Sequence, residues 1–282
     1  MTGPDGGVPR VGADARVCYR HPDRPSAVRC QRCDRAICPA CQTPAAVGVQ
    51  CPECIAAARA SLPKRPSALV RAFRPGSRVP VVSYSILALT VVVFALQWVT
   101  QGAVTSALAY FPPLTAQEPW RMLTVALVHS DRSIFHIVFN MYSLWVLGPL
   151  LESLIGRARF GAVYVLSAFG GSVAVLWLAP LSVVVGASGA IFGLLGAFFV
   201  IQRRLGSRNI QLVVIIAINL ALGFLIPGVS WQSHVGGLLV GAVLAWIMLR
   251  TRRVDQQRRQ VFLIILVGAG LVVATALRLA LF

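Results

Sequence analysis

Long apolar stretches separated by short polar segments dominate the chain after residue 79. Seven such stretches can be counted, at about 81–99, 134–151, 160–178, 185–202, 210–226, 234–249 and 261–281. Each is close to the ~17–25 residues that cross a bilayer as a helix. The pattern therefore predicts an all-α polytopic membrane protein with seven transmembrane helices.

The connections between these stretches sort by charge. Those after the second, fourth and sixth stretches are rich in arginine, whereas those after the third and fifth contain neither Lys nor Arg. Because cytoplasmic loops carry the excess of Lys and Arg, this alternation places the N-terminus in the cytoplasm and, after seven spans, the C-terminus outside. We expect a multi-pass protein of a bacterial plasma membrane.

Composition supports a membrane protein. The chain is 57% hydrophobic and only 12% charged, about half the charged fraction of an ordinary soluble domain. Its net charge of +17 could indicate nucleic-acid binding. However, the arginines are concentrated in the N-terminal region and the inner loops, so we expect contact with membrane lipid and no nucleic-acid partner.

All seven cysteines lie between residues 18 and 54. With one histidine they form four pairs, each spaced by two residues: Cys18 and His21, Cys30 and Cys33, Cys38 and Cys41, Cys51 and Cys54. A two-residue gap lets both members of a pair bind one ion, and eight ligands suffice for two tetrahedral Zn²⁺ sites. The segment is too short and polar to bury a core, so we expect two structural zinc ions to supply its folding energy. A cytoplasmic location disfavours disulfides.

This Cys-rich segment resembles a B-box-type zinc finger. The resemblance implies that the ligand pairs interleave, the first with the third and the second with the fourth. One site would then use Cys18, His21, Cys38 and Cys41, and the other Cys30, Cys33, Cys51 and Cys54. Two roles remain open for the module, a folded segment without a partner or a docking site for a cytoplasmic protein.

Three apolar stretches open with polar residues that are costly inside a membrane. His136 and Asn140 are four residues apart and share one helix face, where they either form interhelical hydrogen bonds or belong to a functional site. Ser188 lies in the sequence Gly186-Ala187-Ser188-Gly189, and His234 opens the sixth stretch. If the two helices face each other, His234 could accept the hydroxyl proton of Ser188 and activate it as a nucleophile.

Glycines make such an approach of the fourth and sixth helices feasible. Gly189 and Gly193 are four residues apart on one helix, and Gly237 and Gly241 repeat this spacing on the other. Small residues at this spacing allow two transmembrane helices to pack closely.

The ordered set of these residues resembles the rhomboid family of intramembrane serine proteases over roughly residues 81–250. The matching motifs are Trp120-Arg121, His136-x3-Asn140, Gly186-Ala187-Ser188-Gly189 and His234-x2-Gly237. The resemblance implies a six-helix core with a short fourth span and one extra C-terminal helix. It also implies a Ser188–His234 dyad without an aspartate, cleavage of transmembrane protein substrates near the outer membrane face, and no catalytic metal or cofactor.

The same resemblance assigns supporting roles around the dyad. His136 and Asn140, with the backbone N–H of Ser188, would stabilise the oxyanion beside Gly186, and Phe192 would stack on His234. Arg121 would anchor the first outer loop, and Glu152 would be a structural acid. We expect His129 to stabilise the loop by a hydrogen bond.

The predicted organisation follows from these features. It comprises a disordered N-terminus (1–17), the zinc-binding module (18–54), a basic linker that can begin with a short helix (55–79), the six-helix core (80–250), and an inner loop with the seventh helix (251–282).

An alternative function is a non-catalytic membrane adaptor that binds transmembrane helices and recruits a cytoplasmic partner through the zinc module. A transporter is disfavoured because the polar residues lie at one end of their spans.

Overall fold

The computed structural model of the protein describes residues 17–61, 79–206, 210–226 and 228–281. Its internal contacts divide the chain into two units, 1–71 and 72–282. The N-terminus that we expected to be disordered and most of the basic linker lie outside the described residues.

The first unit is small and is organised around its cysteines. Its described part consists of two antiparallel two-stranded sheets, a 3₁₀ turn and one helix: β1 (Val17–Cys18), β2 (His21–Pro25), Pro39–Cys41, β3 (Thr43–Pro44), β4 (Val49–Gln50) and α1 (Pro52–Ser61). The interior is formed by Ile37 and six of the seven cysteines, while Cys33 is exposed. Helix α1 continues past residue 54 into the predicted linker, which thus begins with a short helix.

The described part of the second unit is mostly helical, with one isolated antiparallel bridge between Tyr110 and Val184. Its helices, in chain order, are α2 (Val81–Val99), α3 (Ala103–Leu108), α4 (Arg121–Thr124), α5 (Ile134–Ile155), α6 (Arg157–Leu178), α7 (Ser188–Arg204), α8 (Ile210–Leu225), α9 (Trp231–Arg250) and α10 (Gln257–Ala280). Short 3₁₀ turns precede α4 and α10, at Pro112–Leu114 and Val254–Gln256.

Each of the seven predicted spans coincides with a helix to within a few residues, which confirms an all-α polytopic membrane protein. Among the described residues, five segments are long and apolar enough to cross a membrane: α2, α5, α6, α9 and Val254–Ala280, which contains α10. Helices α7 and α8 are shorter, with 17 and 16 residues. The short α7 agrees with the short fourth span implied by the resemblance.

Helices α6, α7 and α9 make the most extensive contacts in this unit and form its centre. Glycines set the approach of α7 and α9. A side chain at Gly237 would collide with the carbonyl oxygen of Gly189, and one at Gly241 would collide with that of Gly193. The two glycine pairs thus face each other, as their spacing predicts.

The connection between α2 and α5 is a folded segment anchored by Arg121. The guanidinium Nη1 donates to the carbonyl oxygens of Ser106 at 2.5 Å and Ala109 at 2.9 Å, and Nε pairs with Glu118. Arg121 is buried, whereas the neighbouring Trp120 is half exposed. The arginine therefore anchors this loop through hydrogen bonds, as expected.

A buried carboxylate on α5 holds the first turn of α2. Glu152 accepts hydrogen bonds from the backbone N–H groups of Val82 at 3.0 Å and Ser83 at 2.7 Å, and from the Ser83 hydroxyl at 2.7 Å. The first N–H groups of a helix have no partner within the helix, so an anionic acceptor from a neighbouring helix stabilises this end.

Candidate active site and metal clusters

Ser188 is the first residue of α7, and the chain before it is held in a fixed path. Val184 pairs with Tyr110 through two backbone hydrogen bonds, and the N–H of Gly186 donates to the carbonyl of Val125 at 3.0 Å. Gly186 has φ of +123°, a conformation that side-chain-bearing residues rarely adopt. A residue with this freedom lets the chain turn into α7 directly ahead of Ser188.

The structure brings Ser188 and His234 together. The hydroxyl oxygen of Ser188 lies 2.9 Å from Nε2 of His234. His234 stands in the first turn of α9, where the side chain of Ser230 caps the helix by accepting from the N–H of Ser233. The first turns of two separate helices therefore place this pair at one end of the bundle.

The His234 ring is held by packing. Phe192 stacks on it with ring centroids 4.1 Å apart and planes 10° from parallel, so the predicted stacking is present. Nδ1 of His234 is buried and has no hydrogen-bond partner among the described residues. A side chain at Gly223 of α8 would come within 3.3 Å of that atom. The imidazole is thus held by an aromatic ring stacked on its face and by a helix backbone close to Nδ1, and no carboxylate among the described residues orients it.

His136 lies beside Gly186 on the approach to Ser188. A Cβ atom at Gly186 would be only 2.8 Å from Nε2 of His136, so this position requires glycine for space as well as for its φ. Nδ1 of His136 accepts a hydrogen bond from the N–H of Ser130 at 3.3 Å. A neutral imidazole whose Nδ1 accepts carries its proton on Nε2. Nε2 is therefore the donor that faces the site.

Asn140 lies one turn further along α5 and is buried. Its side-chain amide donates to the carbonyl oxygen of His136 at 2.7 Å, within the same helix. This contact is local, and it is not the interhelical hydrogen bond considered from the sequence. The amide has a second N–H besides the one used here.

His129 and Gln97 support the start of α7, and the sequence pointed only to the first. Nε2 of His129 accepts from the N–H of Ala187 at 3.4 Å, which is the expected loop-stabilising role. The side-chain amide of Gln97 on α2 donates to the carbonyl oxygen of His129 at 2.8 Å and accepts from the backbone N–H of His129 at 3.0 Å. Gln97 was missed, although it is the one side-chain amide in the first apolar stretch, and a polar residue inside a span is a recognised signal.

The structure also assembles the eight predicted metal ligands into two clusters. One contains Cys18, His21, Cys38 and Cys41, and the other contains Cys30, Cys33, Cys51 and Cys54, with the potential ligand atoms of each within 4.8 Å of one another. The interleaved pairing implied by the resemblance is therefore present. Donor sets of one nitrogen with three sulfurs and of four sulfurs both fit a tetrahedral metal ion.

The thiols of the first cluster differ in acidity. Burial raises the pKa of the Cys18 thiol, but backbone hydrogen bonds at Cys38 and Arg20 outweigh it, and the pKa falls to about 6. Burial and hydrogen bonding to Cys18 raise the pKa of Cys41 to about 11. Nδ1 of His21 lies 3.4 Å from the sulfurs of Cys38 and Cys41. The cluster therefore retains protons at neutral pH that a bound cation would displace.

The thiols of the second cluster also differ in acidity. The pKa of Cys30 is lowered to about 6, because backbone hydrogen bonds at Cys51 and Arg32 outweigh the opposing effect of burial. Hydrogen bonding to Cys51 and burial raise the pKa of Cys54 to about 12. The guanidinium of Arg35 donates to the Cys33 sulfur at 3.3 Å and lowers the pKa of that thiol. Arg35 thus adds a positive charge beside the cluster with the greater number of thiols.

Comparison with known proteins places the second unit in a family. A family model described as the Rhomboid domain matches residues 116–251. "Putative rhomboid protease YdcA" of Bacillus subtilis is 33% identical over 141 residues, which are 48% of this chain and 70% of the relative. The chain belongs to the rhomboid family.

Two further relatives extend the comparison. "RHOMBOID-like protein 6, mitochondrial" of Arabidopsis thaliana is 37% identical over 51% of this chain and 48% of the relative. "Rhomboid protease GluP" of Bacillus subtilis is 36% identical over 57% of this chain and 34% of the relative. The chain thus spans about half or less of the length of these two relatives. They come from a plant and a bacterium, so a bacterial plasma membrane remains a prediction.

Proposed function

We propose that the protein is an intramembrane serine endopeptidase of the rhomboid type that cleaves transmembrane protein substrates. The observation that carries this proposal is the 2.9 Å contact between the Ser188 hydroxyl and Nε2 of His234. A serine becomes a strong nucleophile when an adjacent base takes its proton, and an imidazole within hydrogen-bond reach is such a base.

In the proposed reaction, Ser188 attacks the scissile carbonyl while His234 accepts the hydroxyl proton on Nε2. The protonated imidazole then donates to the leaving amine, and water hydrolyses the acyl enzyme with His234 again acting as base. Because Nδ1 of His234 has no carboxylate partner among the described residues, the orientation of the ring depends on Phe192 and on the backbone at Gly223.

The oxyanion of the tetrahedral intermediate requires donors on the side of Ser188 that faces His136. The N–H of Ser188 is at the start of α7, where N–H groups have no intrahelical partner and the helix dipole favours negative charge. Nε2–H of His136 is the second donor, and the unused N–H of Asn140 the third. Donors held in position before the charge develops contribute several kcal/mol to acyl transfer, about 2.7–4 kcal/mol for one donor.

Two metal ions, which we propose to be zinc, stabilise the first unit. Thiolate is a soft ligand and imidazole a borderline one, and tetrahedral sites composed of them are characteristic of zinc. When bound, the ions supply the folding energy that a segment of this size cannot obtain from its core.

We further propose that this unit faces the cytoplasm, with the C-terminus outside, because arginine is concentrated in alternate loops of the second unit. In that position the module is available to a cytoplasmic protein partner.

The proposal is tested by cleavage of a model transmembrane substrate in liposomes. Ser188→Ala and His234→Ala should each abolish cleavage. Ser153→Ala is the matched control, because Ser153 is exposed and, within the described ranges, its hydroxyl bonds only to the carbonyl of Leu150 in its own helix. Full activity in both dyad variants would contradict the mechanism.

A second measurement separates the protease from the non-catalytic adaptor. A serine-reactive fluorophosphonate probe should label the wild-type chain and the Ser153→Ala variant, but not Ser188→Ala. Absence of labelling in folded wild-type protein would favour the adaptor.

A further inference from the structure

An open cleft lies between α7 and α9 at the end of these helices opposite to the Ser188–His234 pair. Its volume is about 440 Å³, which is within the range of ~300–1,000 Å³ typical of small-molecule sites. Ser188 begins α7 and the cleft is lined by the last residues of that helix, from Phe199 to Arg204, so about 16–24 Å of helix separates the two. The cleft is therefore outside the proposed active site.

The lining of the cleft combines two chemistries. Three guanidinium groups, from Arg203, Arg204 and Arg250, stand at the ends of the two helices. Phe199, Trp246 and Leu249 provide the apolar part and lie on the parts of the helices nearer to the membrane interior. A ligand that satisfies both parts must have an anionic group at one end and hydrocarbon at the other.

The arginines are available for such a ligand. All three are exposed, and among the described residues no carboxylate lies within ion-pair distance of them. The guanidinium of Arg250 lies 5.5 Å from the centre of the Trp246 ring, a cation–π contact that keeps this charge against the apolar wall. Arginine is the residue best suited to bind phosphate oxygens in a bidentate manner.

We propose that this cleft binds an anionic phospholipid, with its phosphate between the three arginines and an acyl chain along Trp246 and Phe199. Basic clefts between transmembrane helices at the membrane surface are suited to such head groups. A free phosphate ion would gain nothing from the aromatic wall, and an apolar ligand would gain nothing from three guanidinium groups. The proposed lipid would contact the C-terminal ends of α7 and α9, the two helices whose first turns carry Ser188 and His234.

The arginines could instead be only topological determinants, because arginine in inner loops orients the chain without binding a particular lipid. The two explanations differ in whether the exact positions of the arginines matter. A topological determinant acts through the number of charges on one side of the membrane. A lipid site depends on those charges being in the cleft.

The test uses the full-length chain in neutral detergent and measures bound lipid by native mass spectrometry. Phosphatidylglycerol, phosphatidylcholine and inorganic phosphate are titrated in parallel. The cleft variant carries Arg203→Gln, Arg204→Gln and Arg250→Gln. The control variant carries Arg252→Gln, Arg258→Gln and Arg259→Gln, which removes the same charge from exposed positions outside the cleft.

We expect phosphatidylglycerol to bind the wild type and the control variant with similar affinity. Its affinity for the cleft variant should fall by on the order of 100-fold, since each arginine contributes several-fold to binding an anionic head group. Phosphatidylcholine should bind the wild type much more weakly, because its head group has no net charge.

Three outcomes would overturn the proposal. Equal binding of phosphatidylglycerol to the wild type and the cleft variant would show that the arginines do not form the site. An equal loss in both variants would identify a general charge effect. Displacement of phosphatidylglycerol from the wild type by inorganic phosphate at similar concentration would show that the cleft is an anion site without a lipid preference. The melting temperature of each lipid-free variant establishes that it is folded, and the binding readout does not depend on proteolysis.

Discussion

The hydroxyl of Ser188 and Nε2 of His234 lie 2.9 Å apart, although 46 residues separate them in the chain. Their contact depends on α7 and α9 crossing at backbone distance near these residues. Glycine carbonyls and glycine Cα atoms form that crossing, so its geometry should be sensitive to a single methyl group.

Gly237→Ala should disrupt this crossing. The added Cβ would collide with the carbonyl oxygen of Gly189, so the helices must separate, at a cost of about 1–3 kcal/mol. We expect a lower melting temperature in detergent and reduced cleavage, because separation lengthens the Ser188–His234 contact. Gly270→Ala on α10 is the control, since a Cβ there meets nothing within 4 Å. Equal stability of the two variants would contradict a tight crossing.

Phe192 should affect the rate of cleavage more than substrate affinity. Phe192→Leu retains an apolar side chain but removes the aromatic stack on His234. Such a pair contributes about 0.5–1.5 kcal/mol, so kcat should fall about 2- to 10-fold with KM little changed. Phe192→Tyr preserves the stack and should retain most of the activity. A loss in Phe192→Tyr equal to that in Phe192→Leu would argue against stacking as the cause.

Glu152 should matter for stability and leave the chemistry of the dyad intact. Glu152→Gln replaces an ionised acceptor of three hydrogen bonds by a neutral amide that can accept at only one oxygen. We expect the free energy of unfolding to fall by about 1.5–3 kcal/mol. Ser83→Ala removes only one of the three bonds and should cost less. Thermal unfolding measures both variants, while fluorophosphonate labelling of Ser188 should persist at a temperature where both are folded.

The two metal clusters should load independently. Purified protein should contain two zinc ions per chain by elemental analysis. Cys38→Ser and Cys51→Ser should each lose one, because these cysteines belong to different clusters. Asp23→Asn is the control, as its side chain is exposed and outside both clusters. Loss of both ions in either cysteine variant would show that the clusters fold as one unit.

Metal affinity should rise with pH. In the metal-free protein the pKa of Cys41 is about 11 and that of Cys54 about 12, so both thiols are protonated at pH 7. Binding requires thiolates and therefore releases at least one proton per cluster. The apparent affinity should increase about tenfold per pH unit for each proton released. Competition with a chelator between pH 6 and 8 measures this slope, and an affinity independent of pH would be inconsistent with these protonation states.

Much of this protein is determined by local sequence. The apolar stretches specify the helices, because a span requires only length and hydrophobicity. Spacing also placed Gly189 and Gly193 on one helix face and Gly237 and Gly241 on another, and the two-residue gaps singled out the eight candidate metal ligands that the structure gathers into two clusters. Motif residues such as Ser188 and His234 could be singled out because polar groups are rare and costly in spans.

Other features became clear only in the tertiary structure, since they depend on the rotation and approach of separate helices. The proton on Nε2 of His136 follows from the contact between Nδ1 and the N–H of Ser130. The role of Gln97 follows from its position opposite His129. The cleft at Arg203, Arg204 and Arg250 arises only where the ends of α7 and α9 meet. The sequence therefore determines which residues face inward or stand at a helix end, and the glycine-mediated packing of the helices decides which of them meet.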